Sequence, residues 1–147
     1  MATLPTDIEL QVVTPQRHVL QEIVQSVELP GKDGYLGVLP GHAPLLTELG
    51  IGILTYQKEG RPRYLTIAHG YAEVLPDRVI VLAEISEKAE EVDVARTRES
   101  LEEAKARLSK AAPGDEAWRH ASVDLERSLV GLQAAARIGA THDGGAH

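Results

Sequence analysis

Glycine and proline divide this chain into two stretches that must fold by different rules. Seven of the eight prolines lie before residue 77 and eight of the thirteen glycines before residue 71, whereas between Glu87 and Val130 the only breakers are Pro113 and Gly114, side by side. Proline removes a backbone donor and clashes inside a helix, and glycine in a helix interior is costly. The first stretch therefore punctuates short strands, and the second is free to build long helices. The composition changes near Ser86.

Within the first stretch the apolar residues alternate. "IELQVV" sets Ile8, Leu10 and Val12 against Glu9 and Gln11, the period of a half-buried strand. "EIVQSVEL" is rich in β-branched residues and reads as a strand ending at Pro30, with "GKDG" as the turn that follows. "IGILTYQK" and "RPRYLTIAHG" flank Glu59-Gly60, and "GYAEVL" and "RVIVLAEIS" flank Pro76-Asp77, so each pair reads as a hairpin. Many short strands at close spacing predict a sandwich or flattened barrel. With no Phe and a single Trp, aliphatic side chains must fill its core.

The second stretch carries helical stripes. Val94, Leu101 and Leu108 recur every seven residues, with Ala104 and Ala111 three places after the leucines. After Pro113-Gly114, Asp115 is placed to cap a second helix bearing Trp118, Leu125 and Leu132, with Ser122, Leu129 and Ala136 beside them. Both stripes are narrow, like the seam of a coiled coil, and the short break between them predicts an antiparallel pair. The expected class is α+β: an N-terminal antiparallel β-sandwich over residues 1–86, then a C-terminal antiparallel α-helical hairpin over 87–147. The tail "GATHDGGAH" shows no periodicity and is expected to fray.

Several kinds of chemistry fail on composition or spacing. Hydrophobic residues at 43% and charged residues at 25% suit a soluble folded protein. A net charge of −7 argues against nucleic acid or an anionic membrane surface as a partner. Apolar runs such as Val79 to Ala83 are too short to span a bilayer, and "MATLPTDIEL" lacks the pattern of a secretory signal, so a cytosolic location is expected. There is no Cys, so a metal site would need His and carboxylates alone. "PGKDGYLGVLPG" is not a phosphate loop, because Asp33 follows Lys32 where a magnesium-binding hydroxyl is required.

The histidines His18, His42, His69, His120, His142 and His147 include no pair at helical metal spacing. A β-sandwich metalloenzyme gathering His18, His42 and His69 is the rival reading, and a free-standing adaptor that pairs its hairpin with a partner's coiled coil is another. No Gly-x-Ser-x-Gly elbow is present, and Glu90-Glu91 and Glu102-Glu103 lie in charged helical sequence. No catalytic or metal-ligating residue is assigned.

"VELPGKDGYLGVLPGHAPLLTEL", "AHGYAEVLPDRVIVLAE" and "VDVARTRESLEEAKARL", followed by a second helix, together resemble the epsilon subunit of F-type rotary ATP synthases over roughly residues 5–138. That resemblance implies a non-catalytic rotor subunit of a proton-translocating synthase, peripheral on the cytoplasmic face of the bacterial inner membrane without inserting into it. Its sandwich is expected to bind the gamma subunit and the c-subunit ring. Its hairpin is expected to meet the alpha and beta subunits, through Arg119 and Arg127 among others, and to restrain ATP hydrolysis.

By the same resemblance, Pro40, Gly41, His42, Ala43, Pro44 and Leu45 form a corner near the gamma and c-ring contact, which makes His42 an interface or structural residue. Tyr35 stands where family members often carry an acidic or polar side chain, so contact there is expected through stacking or an aromatic hydroxyl. No cofactor is required. A regulatory ATP is implied by "VDVART", where Val92, Asp93 and Arg96 follow a family motif, Thr97 replaces its usual alanine, and Glu87 supplies a further acidic contact.

Overall fold

The computed structural model describes residues 4–144. Its strands are β1 (Ile8–Val13), β2 (His18–Val24), β3 (Ser26–Gly31), β4 (Gly34–Val38), β5 (Leu45–Lys58), β6 (Arg61–Leu75) and β7 (Arg78–Lys88). A single 3₁₀ turn over Ala89–Glu91 leads to α1 (Val94–Lys110) and α2 (Glu116–Gly144). The chain divides into two compact units between Lys88 and Ala89, two residues beyond the change of composition, because β7 runs on to Lys88.

In the first unit all seven strands form one hydrogen-bonded ladder, in the order β2-β1-β7-β6-β5-β3-β4. The pairings are antiparallel except for β1 with β7, which run parallel with Val12 opposite Val81. The ladder folds over on itself as a sandwich, and its inner face is aliphatic. Ile8, Leu10 and Val12 of β1 are fully buried, as are Leu29, Leu54, Leu65, Val74, Val79 and Val81, and Tyr56 is the aromatic member of this core. Burial of such side chains is the main favourable contribution to folding.

Two strand assignments differ from the sequence pattern. "EIVQSVEL" breaks at Gln25, between β2 and β3. There the chain leaves the edge of β1 and joins β5: the Gln25 N–H donates to the Gln57 carbonyl (2.8 Å), and the Gln25 side-chain oxygen accepts from the Gly60 N–H (2.9 Å). The break is a corner of the sandwich.

Conversely, the runs on either side of Gly70 form one fifteen-residue strand, β6, rather than two. His69 and Gly70 take φ of 60° and 128°, a kink that bends the strand without ending its pairing with β7. The Glu59-Gly60 hairpin is present, with positive φ at both residues (53° and 75°), as a two-residue turn of the twisted type requires.

The second unit is an antiparallel helical pair. Asp93 caps α1, its Oδ1 accepting the Arg96 N–H at 3.1 Å. The α1 stripe is as the heptads predict, with Leu101 and Ala104 buried and Val94, Thr97 and Leu108 half-buried. On α2 the companions of Trp118, Leu125 and Leu132 lie three residues on, not four: Ala121 and Ser128 are buried, whereas Leu129 and Ala136 are exposed. Small side chains win the seam because the helices approach closely. A Cβ on Gly131 would stand 3.4 Å from the Thr97 methyl and 3.8 Å from Val92 Cγ1. Arg107 and Asp124 pair across the two helices at 2.6 Å. Helix α2 continues to Gly144, through most of the segment expected to fray, and residues 145–147 lie outside the described residues.

Candidate docking site

The turn between β4 and β5 is held at both ends by strands and pinned in the middle. Pro40 and Pro44 fix two φ angles, and Gly41 takes φ of 86° to make the bend. The His42 N–H closes the turn on the Leu39 carbonyl (3.2 Å), and the Gly41 N–H donates to the Pro76 carbonyl (2.8 Å), tying this corner to the turn between β6 and β7. In that second turn the Arg78 guanidinium hydrogen-bonds the Asp77 carboxylate, holding the Asp77 pKa below the usual carboxylate value. Backbone bonds and two prolines thus make a stiff corner from sequence that has no regular structure.

What the corner presents is apolar. Leu39 and Leu46 are 66% and 70% exposed, and Ala43, Pro44 and Leu45 are also exposed between them. His42 is half-buried, and its Nδ1 donates to the Ala43 carbonyl at 2.7 Å, which fixes the ring against the loop.

The apolar surface continues onto the outer face of the sheet. Glu48, Tyr71, Leu82 and Val13 lie opposite one another across β5, β6, β7 and β1. The next row on that face is Leu46, Glu73, Ile80 and Gln11. Tyr71 and Leu82 are both more than half exposed. The two are direct cross-strand neighbours, so their exposure is contiguous rather than scattered. The sequence pattern did not single out Leu39, Tyr71 or Leu82; the alternation was visible, but the register that aligns Tyr71 and Leu82 with Leu46 was not.

The other sequence-predicted residues fall as follows. Tyr35 lies on edge strand β4 with its side chain exposed, but its hydroxyl turns inward and accepts the Ile53 N–H at 3.1 Å. Glu87 belongs to the last strand of the first unit, where its backbone N–H donates to the Thr66 hydroxyl (3.2 Å). Val92, Asp93 and Arg96 open the second unit. Val92 is buried, Asp93 spends Oδ1 on the helix cap, and Arg96 is exposed. Arg119 donates to the Gly114 carbonyl (2.9 Å), and Arg127 lies 3.8 Å from Asp124.

The metalloenzyme alternative has no geometric basis. His18 opens β2 with its Nε2 accepting from the Gln11 side-chain amide (2.9 Å), His42 sits in the corner, and His69 occupies the kink of β6. Among the described residues no group of three or more His, Asp or Glu is placed to hold a metal. No described helix is long and apolar enough to cross a membrane.

A folded-over, mostly antiparallel sheet with a stiff apolar corner, followed by a unit made of a helical hairpin, is the architecture that the comparisons with known proteins address. The ATP synthase delta/epsilon chain beta-sandwich domain matches residues 7–89. The chain is 50% identical to the ATP synthase epsilon chain of Koribacter versatilis over 105 residues, covering 71% of this chain and 74% of that one. With ATP synthase epsilon chain 2 of Syntrophotalea carbinolica the identity is 42% over 132 residues, covering 90% and 96%. Among solved structures, a chain of the Euglena gracilis mitochondrial ATP synthase, determined with OSCP, F1 and the c-ring, superposes with a TM-score of 0.77 at 28% identity, covering 91% of this chain and 84% of that one. This chain belongs to the ATP synthase epsilon chain family and is a non-catalytic member of that assembly's parts.

Proposed function

We propose that this chain is a central-stalk subunit of a bacterial proton-translocating ATP synthase, held at the cytoplasmic face of the inner membrane by its partners. In this role the sandwich binds the gamma subunit and the c ring and passes rotation between the c ring and the catalytic head. The observation that carries the reading is the pinned apolar corner at Leu39–Leu46, continuous with the Tyr71–Leu82 row. A torque-bearing contact gains from a loop that is ordered before binding, because little conformational entropy is then lost on docking.

The hairpin is the regulatory part of the proposal. Its placement in a compact unit of its own, beginning at Ala89, supports a hairpin that meets the alpha and beta subunits and restrains ATP hydrolysis. Arg119 and Arg127 are the proposed contacts with acidic surfaces of the head. A regulatory ATP, with Val92, Asp93 and Arg96 as its proposed contacts on the hairpin unit, would favour one hairpin state only by its differential affinity for it. Since Asp93 Oδ1 already caps α1 and Val92 is buried, Arg96 is the member best placed to meet phosphate.

Two measurements test these points. Replacing the full chain by residues 1–88 in the assembled synthase should leave assembly intact and raise ATP hydrolysis; unchanged hydrolysis would remove the inhibitory role. Calorimetry on the full chain should detect ATP binding that Arg96→Ala weakens. No binding at millimolar nucleotide would reduce the motif to a helix cap.

A further inference from the structure

The ladder between β3 and β5 is interrupted, and the way the interruption is bridged gives Tyr35 a second role. Pro30 of β3 has no N–H to donate, and it lies directly opposite Tyr35 of β4. On its other side, β3 pairs with β5 as far as Glu28 opposite Thr55 and resumes only at Gly31 opposite Leu49. Across that gap β3 has residues 29–30 and β5 has residues 50–54, so β5 bulges away from its neighbour. Ile53 lies in the bulge and is only 1% exposed, so water cannot serve its amide. A buried backbone N–H in that position needs a substitute acceptor.

The Tyr35 hydroxyl is that acceptor, at 3.1 Å, reached across Pro30. The crossing depends on Gly52: a Cβ there would fall 2.6 Å from the Tyr35 hydroxyl and 2.7 Å from Pro30 Cβ. At the hairpin tip a second tie runs from the Lys32 N–H to the Glu48 carbonyl at 2.9 Å. Edge strand β4 is thus fastened to β5 at its tip and near its start. Its far end, buried Val38, passes directly into Leu39 and the corner.

We propose that Tyr35 is a positioning residue: its hydroxyl clasps the β3–β4 hairpin onto β5, and the clasp holds the corner that follows β4 in the geometry needed for docking. The second half rests on the reading of the corner as a docking site. The clasp sets where β4 delivers Leu39, so loss of the hydroxyl alone should loosen docking even though the ring remains.

The test uses the full chain with Tyr35→Phe, Tyr35→Ala and Leu39→Asp, at a temperature where circular dichroism shows each folded. Amide hydrogen exchange is read at Ile53 and, as a reference, at Leu10 in β1. Affinity is read by titration into ATP synthase stripped of this subunit. With Tyr35→Phe, Ile53 should exchange about tenfold faster, the opening expected when one hydrogen bond of ordinary strength is lost, while Leu10 is unchanged. Affinity should fall with Tyr35→Phe and further with Tyr35→Ala, whereas a purely structural tyrosine would leave the affinity of the folded variants at the parent value.

Unchanged exchange at Ile53 overturns the clasp. Faster exchange with parental affinity, while Leu39→Asp still weakens binding, overturns the positioning role and leaves the docking site standing. If Leu39→Asp also leaves affinity unchanged, the docking reading fails and the proposal fails with it.

Discussion

Adding a single methyl group at Gly70 is expected to be the most damaging small change in the sandwich. A Cβ built there would lie 2.1 Å from the Leu82 carbonyl oxygen and 2.8 Å from Ala83 Cα. These are backbone atoms of β7, which is itself held on its other side by β1, with Val13 opposite Leu82. No side chain can rotate away, so relief requires parting β6 from β7 in the middle of the ladder. The φ of 128° adds strain of about 1–3 kcal/mol for any residue other than glycine. Losing one or two ladder hydrogen bonds adds about 1 kcal/mol each. Gly70→Ala should therefore cost roughly 2–5 kcal/mol, a large share of the ~5–15 kcal/mol that holds an ordinary domain folded.

Gly60→Ala is the matched control, since Gly60 also has positive φ (75°) but no atom within 4 Å of an added Cβ. It should cost about 1 kcal/mol, from conformation alone. Urea unfolding of both variants, followed by circular dichroism at the strand wavelength, checks the pair. Equal losses for the two would refute the steric reasoning.

Three further outcomes follow from particular contacts. Ser86 Oγ is buried without a hydrogen-bond partner among the described residues, so Ser86→Ala should raise stability by about 1 kcal/mol, seen as a higher urea midpoint; a loss would mean the hydroxyl does have a partner. Asp93→Ala should lower helix stability by about 1 kcal/mol through loss of the α1 cap, whereas Asp93→Asn should retain most of it, which thermal melts by circular dichroism will separate. Asp124→Ala breaks the exposed pairs to Arg107 and Arg127 and should cost less than about 1 kcal/mol, an effect that fades when melts are repeated at high salt.

The parts of the fold legible in the sequence are those governed by local periodicity. The alternation of Ile8, Leu10 and Val12 marks β1 because one face of it is buried, and the heptads of Val94, Leu101 and Leu108 mark α1 because one stripe of it is. The features that were not legible depend on residues far apart in the chain. The parallel closure of β1 on β7 joins strands separated by most of the sandwich, and nothing within "IELQVV" reports its partner. Gly70 reads as a strand end because glycine usually is one; here it is the point where two backbones come too close for any other residue.

The candidate docking site divides in the same way. The stiffness of Pro40–Pro44 is written in its residue types, so the corner is visible in advance. That Leu46, Tyr71 and Leu82 share a face with it follows only from the β5–β6–β7 register. The inward turn of the Tyr35 hydroxyl likewise needs Ile53, eighteen residues further on. On α2, a choice between companions three and four residues after Trp118 turns on a close approach at Gly131, which periodicity alone does not contain.

Recovery of partners from native membranes tests the central claim most directly. A tagged full-length chain, expressed in its own host and purified after mild detergent extraction, should bring down the gamma, c, alpha and beta subunits together, and Leu39→Asp should reduce all four in parallel. Recovery of the tagged chain without gamma and the c subunit would contradict the assignment of this protein to the rotor.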